Sequence, residues 1–121
     1  MRKYTNSEVE LLNIQIGTMV KLARLQKGMS QLDLALLLDS NSTMVGRIER
    51  SESVSGWDKI LLISQLLDID FNNLFRLKTK NEMLSIVEES YKLDGKLTNE
   101  KKNYYDSLKK VIISKYNSIE Q

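Results

Sequence analysis

The chain has 121 residues, enough for one domain with a short extension, and it contains neither histidine nor cysteine. These absences remove the usual zinc and haem ligands, the thiol nucleophile and disulfide bonds, so we expect no metal and no cofactor. A carboxylate, serine or lysine enzyme would remain, but no such arrangement is recognisable, and we expect no enzymatic activity.

No apolar run approaches the ~20 residues that span a bilayer, and no apolar segment follows the first basic residues. We therefore expect a cytoplasmic protein with no membrane partner. The net charge is +2, but it is unevenly placed. Residues 1–75 hold 8 Lys and Arg against 9 Asp and Glu, giving −1, and residues 76–121 hold 10 against 7, giving +3.

The lack of proline, with few aromatic residues or β-branched alternations, predicts an all-α fold. The first predicted helix starts near Ser7, because Ser7 and Glu10 have the spacing of a capping box. Gly28 is placed to end this helix. Gly17 lies inside it, so a break there, leaving residues 7–15 as a separate arm, is the alternative.

Two short helices follow. Ser30 is a good N-cap with Asp33 as its acidic partner, which predicts a helix over Gln31–Leu38. Asn41 is the next N-cap, and the helix after it is predicted over Ser42–Arg50. Two short helices separated by a turn of three to four residues are typical of a helix-turn-helix unit.

The fourth predicted helix starts from Ser55, with Asp58 as its capping acid, and directs Trp57 and the apolar residues after it toward a core. A fifth begins near Asp70 and presents Phe71, Leu74 and Phe75. The sixth covers about 81–93 and ends at Asp94-Gly95, and the seventh runs from Thr98 to about Ser118.

The last two helices are predicted to form a hairpin whose apolar stripe needs a partner surface. We expect a homodimer, formed through the fifth helix or through the hairpin. In the hairpin the pairing residues would be Met83, Leu84, Ile86, Val87, Tyr105, Leu108 and Ile112. The alternative is that the hairpin packs on its own domain.

The stretch VKLARLQKGMSQLDLALLLDSNSTMVGRIERSES resembles the Cro/C1-type (XRE) helix-turn-helix family of phage repressors and bacterial regulators. The later stretch WDKILLISQLLDIDFNNLF is similar to that family's fourth and fifth helices. The match covers residues 14–76. It implies a five-helix lambda-repressor-like DNA-binding domain over residues 1–77, with residues 78–121 as a helical extension.

The resemblance implies a sequence-specific transcriptional regulator, and we expect a repressor that binds double-stranded DNA as a dimer on a near-palindromic operator. The helix near residues 41–50 would enter the major groove, which is ~12 Å wide. The predicted DNA-binding residues are Gln31, Asn41, Ser42, Thr43, Met44, Gly46, Arg47 and Arg50.

These residue types suit different contacts. Ser42 and Thr43 can exchange hydrogen bonds with bases, Met44 can touch a thymine methyl group, and Arg47 can pair with a guanine. By resemblance, Gln31 binds a phosphate and steadies the recognition helix, and Arg50 is a further candidate phosphate contact.

Simpler roles are open for the same residues. Ser42 and Thr43 also suit a helix start, Met44 an ordinary surface, and Gln31 a helix cap. Arg47 could be a solvated charge or pair with Asp39.

Arg24 and Glu49 resemble an internal ion pair of the family that joins the first helix to the end of the third. Asp39 and Ser51 stand where the family usually has glycine, so each would carry a side chain at a positive φ if the turns keep their shape. Gly46 inside the third helix removes a side chain often used for base readout. It permits a close approach to DNA or merely loosens the helix.

The alternative function is that of an antitoxin-type interaction protein. Its C-terminal helices would bind a partner toxin through their apolar stripe, while its N-terminal half would bind DNA and regulate its own synthesis.

Overall fold

The structure, a computed structural model, describes residues 3–95 and 98–119. Residues 1–2 of the predicted DNA-binding domain, and residues 96–97 and 120–121 of the predicted extension, lie outside the described residues. Within the described residues the chain forms seven α-helices and no strand, which confirms the all-α prediction. No helix among them is both long and apolar enough to cross a membrane. The helices are α1 (Asn6–Gln26), α2 (Gln31–Leu37), α3 (Ser42–Glu49), α4 (Trp57–Leu66), α5 (Phe71–Phe75), α6 (Lys80–Leu93) and α7 (Asn99–Ile119).

The capping box of α1 lies two residues earlier than predicted. Thr5 Oγ1 accepts from the Glu8 backbone N–H at 3.1 Å, and Glu8 Oε1 accepts from the Thr5 backbone N–H at 2.9 Å. The predicted box of Ser7 and Glu10 is therefore wrong. Glu10 is instead engaged by Lys115 of α7, so its carboxylate serves a tertiary contact.

Gly17 does not break α1, and the alternative of a separate arm is wrong. A Cβ atom at Gly17 would lie 2.4 Å from the Ile48 carbonyl oxygen and 2.8 Å from that of Glu49. Glycine is needed here because the C-terminal end of α3 lies directly against α1.

The first four helices end in the same way. The residue after each C-cap has a left-handed backbone, and the next N–H bonds back to the helix, as Ser40 does to the Ala35 carbonyl at 2.9 Å. Such Schellman ends turn the chain sharply. The prediction that Gly28 ends α1 is confirmed, with a φ of 68°. Asp39 and Ser51 do carry side chains at positive φ values of 52° and 62°, and Asp68 has 57°.

These turns wrap α2 to α5 and the C-terminal half of α1 around a first core. The buried residues of the first core are Val20, Leu34, Ala35, Val45, Ile48, Ile60, Ile63, Leu67 and Leu74.

Two predictions for α4 are wrong. The N-cap is Gly56, without a side-chain cap, rather than Ser55. Trp57 is 70% exposed, because it occupies the first turn of α4, past the edge of the core.

A second core joins α6 and α7 to the N-terminal half of α1. Its buried residues are Leu11, Ile14, Met83, Val87, Tyr105, Ile112 and Tyr116. Four of the side chains that we expected to pair with a second copy (Met83, Val87, Tyr105 and Ile112) are thus buried within the chain itself. The hairpin packs on its own chain, as in the alternative.

The segment after α5 is fixed to α1 by Gln15. The amide nitrogen of this buried side chain donates to the carbonyls of Leu74 and Arg76, both at 2.8 Å. Its amide oxygen accepts from the Lys78 backbone N–H at 2.9 Å. Because α1 contributes to both cores, the hairpin is placed relative to α2 and α3 through one continuous helix.

Candidate nucleic-acid interface

α2 and α3 are short helices joined by residues 38–41. Ala35 is fully buried in the first core, and its carbonyl accepts the bond that closes the turn between the two helices. Val45 and Ile48 are also buried and hold the inner side of α3 against that core. The opposite side of α3 is left at the surface.

The leading turn of α3 is accessible to solvent. Asn41 is exposed, and its Oδ1 accepts from the Met44 backbone N–H at 2.9 Å, as an N-cap should. Ser42 is half-buried and Thr43 is exposed. An approaching molecule would therefore meet hydroxyl and amide groups at the start of this helix.

Two arginines continue that surface. Thr43, Arg47 and Arg50 are spaced by four and three residues, which places them on one face of α3, and all three are exposed. Arg47 makes no ion pair within the described part of the chain, with Asp39 or any other residue. Arg50 Nη2 lies 3.0 Å from Glu52 Oε2, and this hydrogen bond lowers the pKa of Glu52.

Met44 and Gly46 are less exposed than Thr43, Arg47 and Arg50 and lie on opposite flanks of α3. Met44 is half-buried against the first core, and its Sδ accepts from Lys59 Nζ at 2.8 Å. Gly46 is buried, and a Cβ atom there would lie 2.8 Å from Arg50 Nη1. The missing side chain of Gly46 leaves room for the Arg50 guanidinium.

The predicted ion pair between Arg24 and Glu49 is confirmed. Arg24 Nε lies 2.6 Å from Glu49 Oε2, and its Nη2 donates to Oε1 at 3.0 Å, with both side chains buried. The third guanidinium nitrogen donates to the Met29 carbonyl at 2.6 Å. The half-buried Gln31 donates to Glu49 Oε1 at 3.1 Å, so one carboxylate connects α1, α2 and α3.

A polar cluster lies where α1 meets the hairpin, beside the Arg24–Glu49 pair. Lys21 Nζ lies 3.3 Å from Asp94 Oδ2 and 4.6 Å from the centre of the Tyr105 ring. Burial lowers the pKa of Lys21, and the attraction of Asp94 only partly opposes this effect.

Asp94 is the shared acceptor of this cluster. It accepts from the Tyr105 hydroxyl at 2.7 Å and lies 3.1 Å from Lys101 Nζ. Burial alone would raise the pKa of Asp94, but the Tyr105 hydrogen bond and the two ammonium groups outweigh it and lower the pKa.

Sequence reasoning missed two contacts of the interface. The first is the Gln31–Glu49 hydrogen bond; Gln31 begins α2 and Glu49 ends α3, so nothing in the spacing of the sequence pairs these residues. The second is Lys59, which reaches Met44 from α4; nothing in the spacing of the sequence pairs these residues.

Searches against protein-family models, curated proteins and solved structures found no match to this chain.

Proposed function

We propose that the chain is a sequence-specific DNA-binding transcriptional regulator in which α2 and α3 act as a helix-turn-helix unit and α3 enters the major groove. The observation that carries the proposal is the solvent-facing surface of α3. An exposed threonine and two exposed arginines share one face of a helix whose inner side is held by Val45, Ile48 and the Arg24–Glu49 pair.

This surface suits base recognition chemically. The Arg47 guanidinium makes no ion pair with any described residue, and such a group can bond O6 and N7 of a guanine together. The Thr43 hydroxyl donates or accepts, so it can meet several base edges. Asn41, Ser42 and Arg50 flank these two residues and can contact phosphates, which position a protein without reading sequence.

Rigidity also supports the proposal. The Gln31–Glu49–Arg24 contacts hold both helices to α1, so the residues of α3 keep a fixed spacing. In this proposal Gln31 steadies α3 through Glu49 and uses its remaining polar atoms for a phosphate. Met44 contributes by packing, since it is turned toward the core.

The test is selection of bound duplexes from a random pool at about 100 mM salt, with the wild type and with Arg47→Ala. We expect the wild type to enrich a near-palindrome. The variant should lose preference at one position in each half-site, a discrimination of about 1–3 kcal/mol. A failure of the wild type to enrich any sequence would overturn the proposal.

Arg47→Lys separates base reading from charge, because lysine keeps the positive charge but cannot make the planar paired contact. We expect this variant to retain most non-specific affinity while losing the same base preference. Lys110→Ala, a charge removed from the exposed part of α7, is the matched control and should leave the selected sequence unchanged.

We infer that the mode of regulation is repression, because occupancy of an operator by a dimer is sufficient to exclude other proteins from it. The toxin-binding alternative has less support. Its motivation was the apolar stripe of α7, whose side chains Tyr105, Ile112 and Tyr116 lie in the second core.

A further inference from the structure

The chain carries an exposed apolar surface on the side where α1 meets α4 and α5. It consists of two adjoining hollows of about 270 and 240 Å³ that share Val9, Leu12 and Phe75. Val54 and Trp57 line the first hollow, and Tyr4 lines the second. We refer to Tyr4, Val9, Leu12, Val54, Trp57 and Phe75 as the apolar surface.

The exposure of this surface is large for a protein of this size. Val54 is 84% exposed, Trp57 70% and Val9 58%. Contiguous apolar area of this kind typically marks an interaction site, and tryptophan is the residue most often found at the energetic centre of one. We therefore expect the apolar surface to be covered by a partner.

Charged side chains at the two ends of the apolar surface indicate which partner covers it. Asp58 directly follows Trp57 at the first hollow. Arg76 lines the second hollow together with Glu8, whose buried carboxylate belongs to the capping box of α1. Asp58 and Arg76 are both exposed, and neither makes an ion pair with another described residue. In a two-fold pairing the Asp58 end of one copy meets the Arg76 end of the other, so the surface is complementary to itself.

The position of the apolar surface relative to α3 also favours a second copy of the chain as the partner. Ile48 of α3 and residues 53–55, which follow α3, also line the first hollow. Two copies joined here would carry their α3 helices on either side of the two-fold axis. Two-fold symmetric readers of DNA need this arrangement, because their half-sites lie about 34 Å apart.

We propose that the apolar surface is the interface of a homodimer of this chain, with Trp57 at its centre and Asp58 facing Arg76 of the second copy. The proposal rests on the proposed function for the placement of the two α3 helices. It differs from both dimer surfaces expected from the sequence, since the hairpin is not part of it and only Phe75 of α5 is.

Sedimentation equilibrium of the full chain tests the interface. We expect a wild-type dimer and a Trp57→Ala variant whose dissociation constant is raised roughly 30-fold. The matched control is Leu36→Ala, because Leu36 is 69% exposed on the outer side of α2. It should change the dissociation constant by less than about threefold. A monomeric wild type, or dissociation by Leu36→Ala alone, would overturn the proposal.

Charge exchange gives a sharper test, because it does not remove apolar area. Asp58→Arg and Arg76→Asp each place like charges together twice in a symmetric dimer, and each should weaken it about tenfold. An equal mixture of the two variants should form heterodimers of nearly wild-type affinity. Absence of that rescue would place the contact elsewhere and refute the pairing.

The failure of this proposal is distinguishable from failure of DNA binding. Arg47→Ala should remain dimeric while losing its base preference, and Trp57→Ala should retain weak binding to a single half-site. If Trp57→Ala remains dimeric while Arg47→Ala loses its preference, the interface is wrong and the proposed function stands. If the wild type enriches no sequence from the random pool, the proposed function fails whatever sedimentation shows.

Discussion

The two cores of this chain are built from helices of different kinds. The first core is surrounded by α2 to α5, which have between 5 and 10 residues, together with half of α1. The second uses α6 with 14 residues and α7 with 21. Helices shorter than about 12 residues are marginal alone, so the first region depends more heavily on caps, turns and packing.

This difference determines what each region can present. In the first region the chain reverses direction at Asp39 and Ser51, and helices anchored on one side expose polar residues on the other. In the second region the long helices bury their apolar stripe against α1. The first region therefore supplies the candidate interface, and the second region packs on α1, the helix against which α3 lies.

The largest expected effect comes from removing the polar anchor of the first region. Glu49→Ala leaves the buried guanidinium of Arg24 without its partner, and such a loss costs about 3–5 kcal/mol. We expect urea unfolding to show this decrease in the free energy of unfolding.

Glu88→Ala is the control in the second region. It removes the Lys109–Glu88 pair, whose side chains are partly exposed, and should change the free energy of unfolding far less than Glu49→Ala does. Equal losses in the two variants would mean that the two regions do not differ in how they use charge.

Local signals in the sequence predicted most of the helix boundaries. Ser30 with Asp33, Asn41 and Asp70 cap α2, α3 and α5 as expected, because a cap depends on neighbouring residues only. The N-cap of α1 was missed because two boxes overlap in the sequence, at Thr5 and at Ser7.

Contacts between distant segments were less predictable. The hairpin has an apolar stripe in either arrangement, so periodicity alone could not decide between α1 and a second copy as its partner. The Arg24–Glu49 pair was foreseen from the resemblance. The inward placement of Met44 was not, because it depends on Lys59 and the first core.

Gly17→Ala tests how closely the first region is held to α1. The added Cβ would lie 2.4 Å from the Ile48 carbonyl oxygen, and because this neighbour is backbone it cannot turn away. We expect a loss of about 3 kcal/mol, at the upper end for overpacking, measured by thermal unfolding. Gly95→Ala is the control, since a Cβ there meets nothing within 4 Å. A tolerated Gly17→Ala would show that α3 can move away from α1.

Asp94→Asn tests the polar attachment of the second region. The change weakens the Tyr105 hydrogen bond and leaves Lys21 without a negative partner, so we expect a loss of about 2 kcal/mol at pH 7. Because the pKa of Asp94 is below its ordinary 3.8 in the folded chain, its contribution is present above that pH and lost as the pH falls through the lowered value.

An acid titration followed by circular dichroism checks this dependence. The wild type should lose stability below about pH 4 more steeply than Asp94→Asn, which has no carboxyl group to protonate there. Asp106→Asn, an exposed position on α7, is the control and should follow the wild type. Parallel curves for the wild type and Asp94→Asn would exclude Asp94 as the source of the acid sensitivity.

The smallest effect is expected at the left-handed turns of the first region, where the change should stabilise the chain. Asp39 has a φ of 52°, which a side chain disfavours, so Asp39→Gly should raise the free energy of unfolding by about 0.5 kcal/mol. Gly28→Ala is the reverse change at a φ of 68° with no atom within 4 Å of the new Cβ, and it should lower stability by about 1 kcal/mol. If Asp39→Gly destabilised the chain while Gly28→Ala behaved as expected, the Asp39 carboxylate would itself be supporting the turn between α2 and α3.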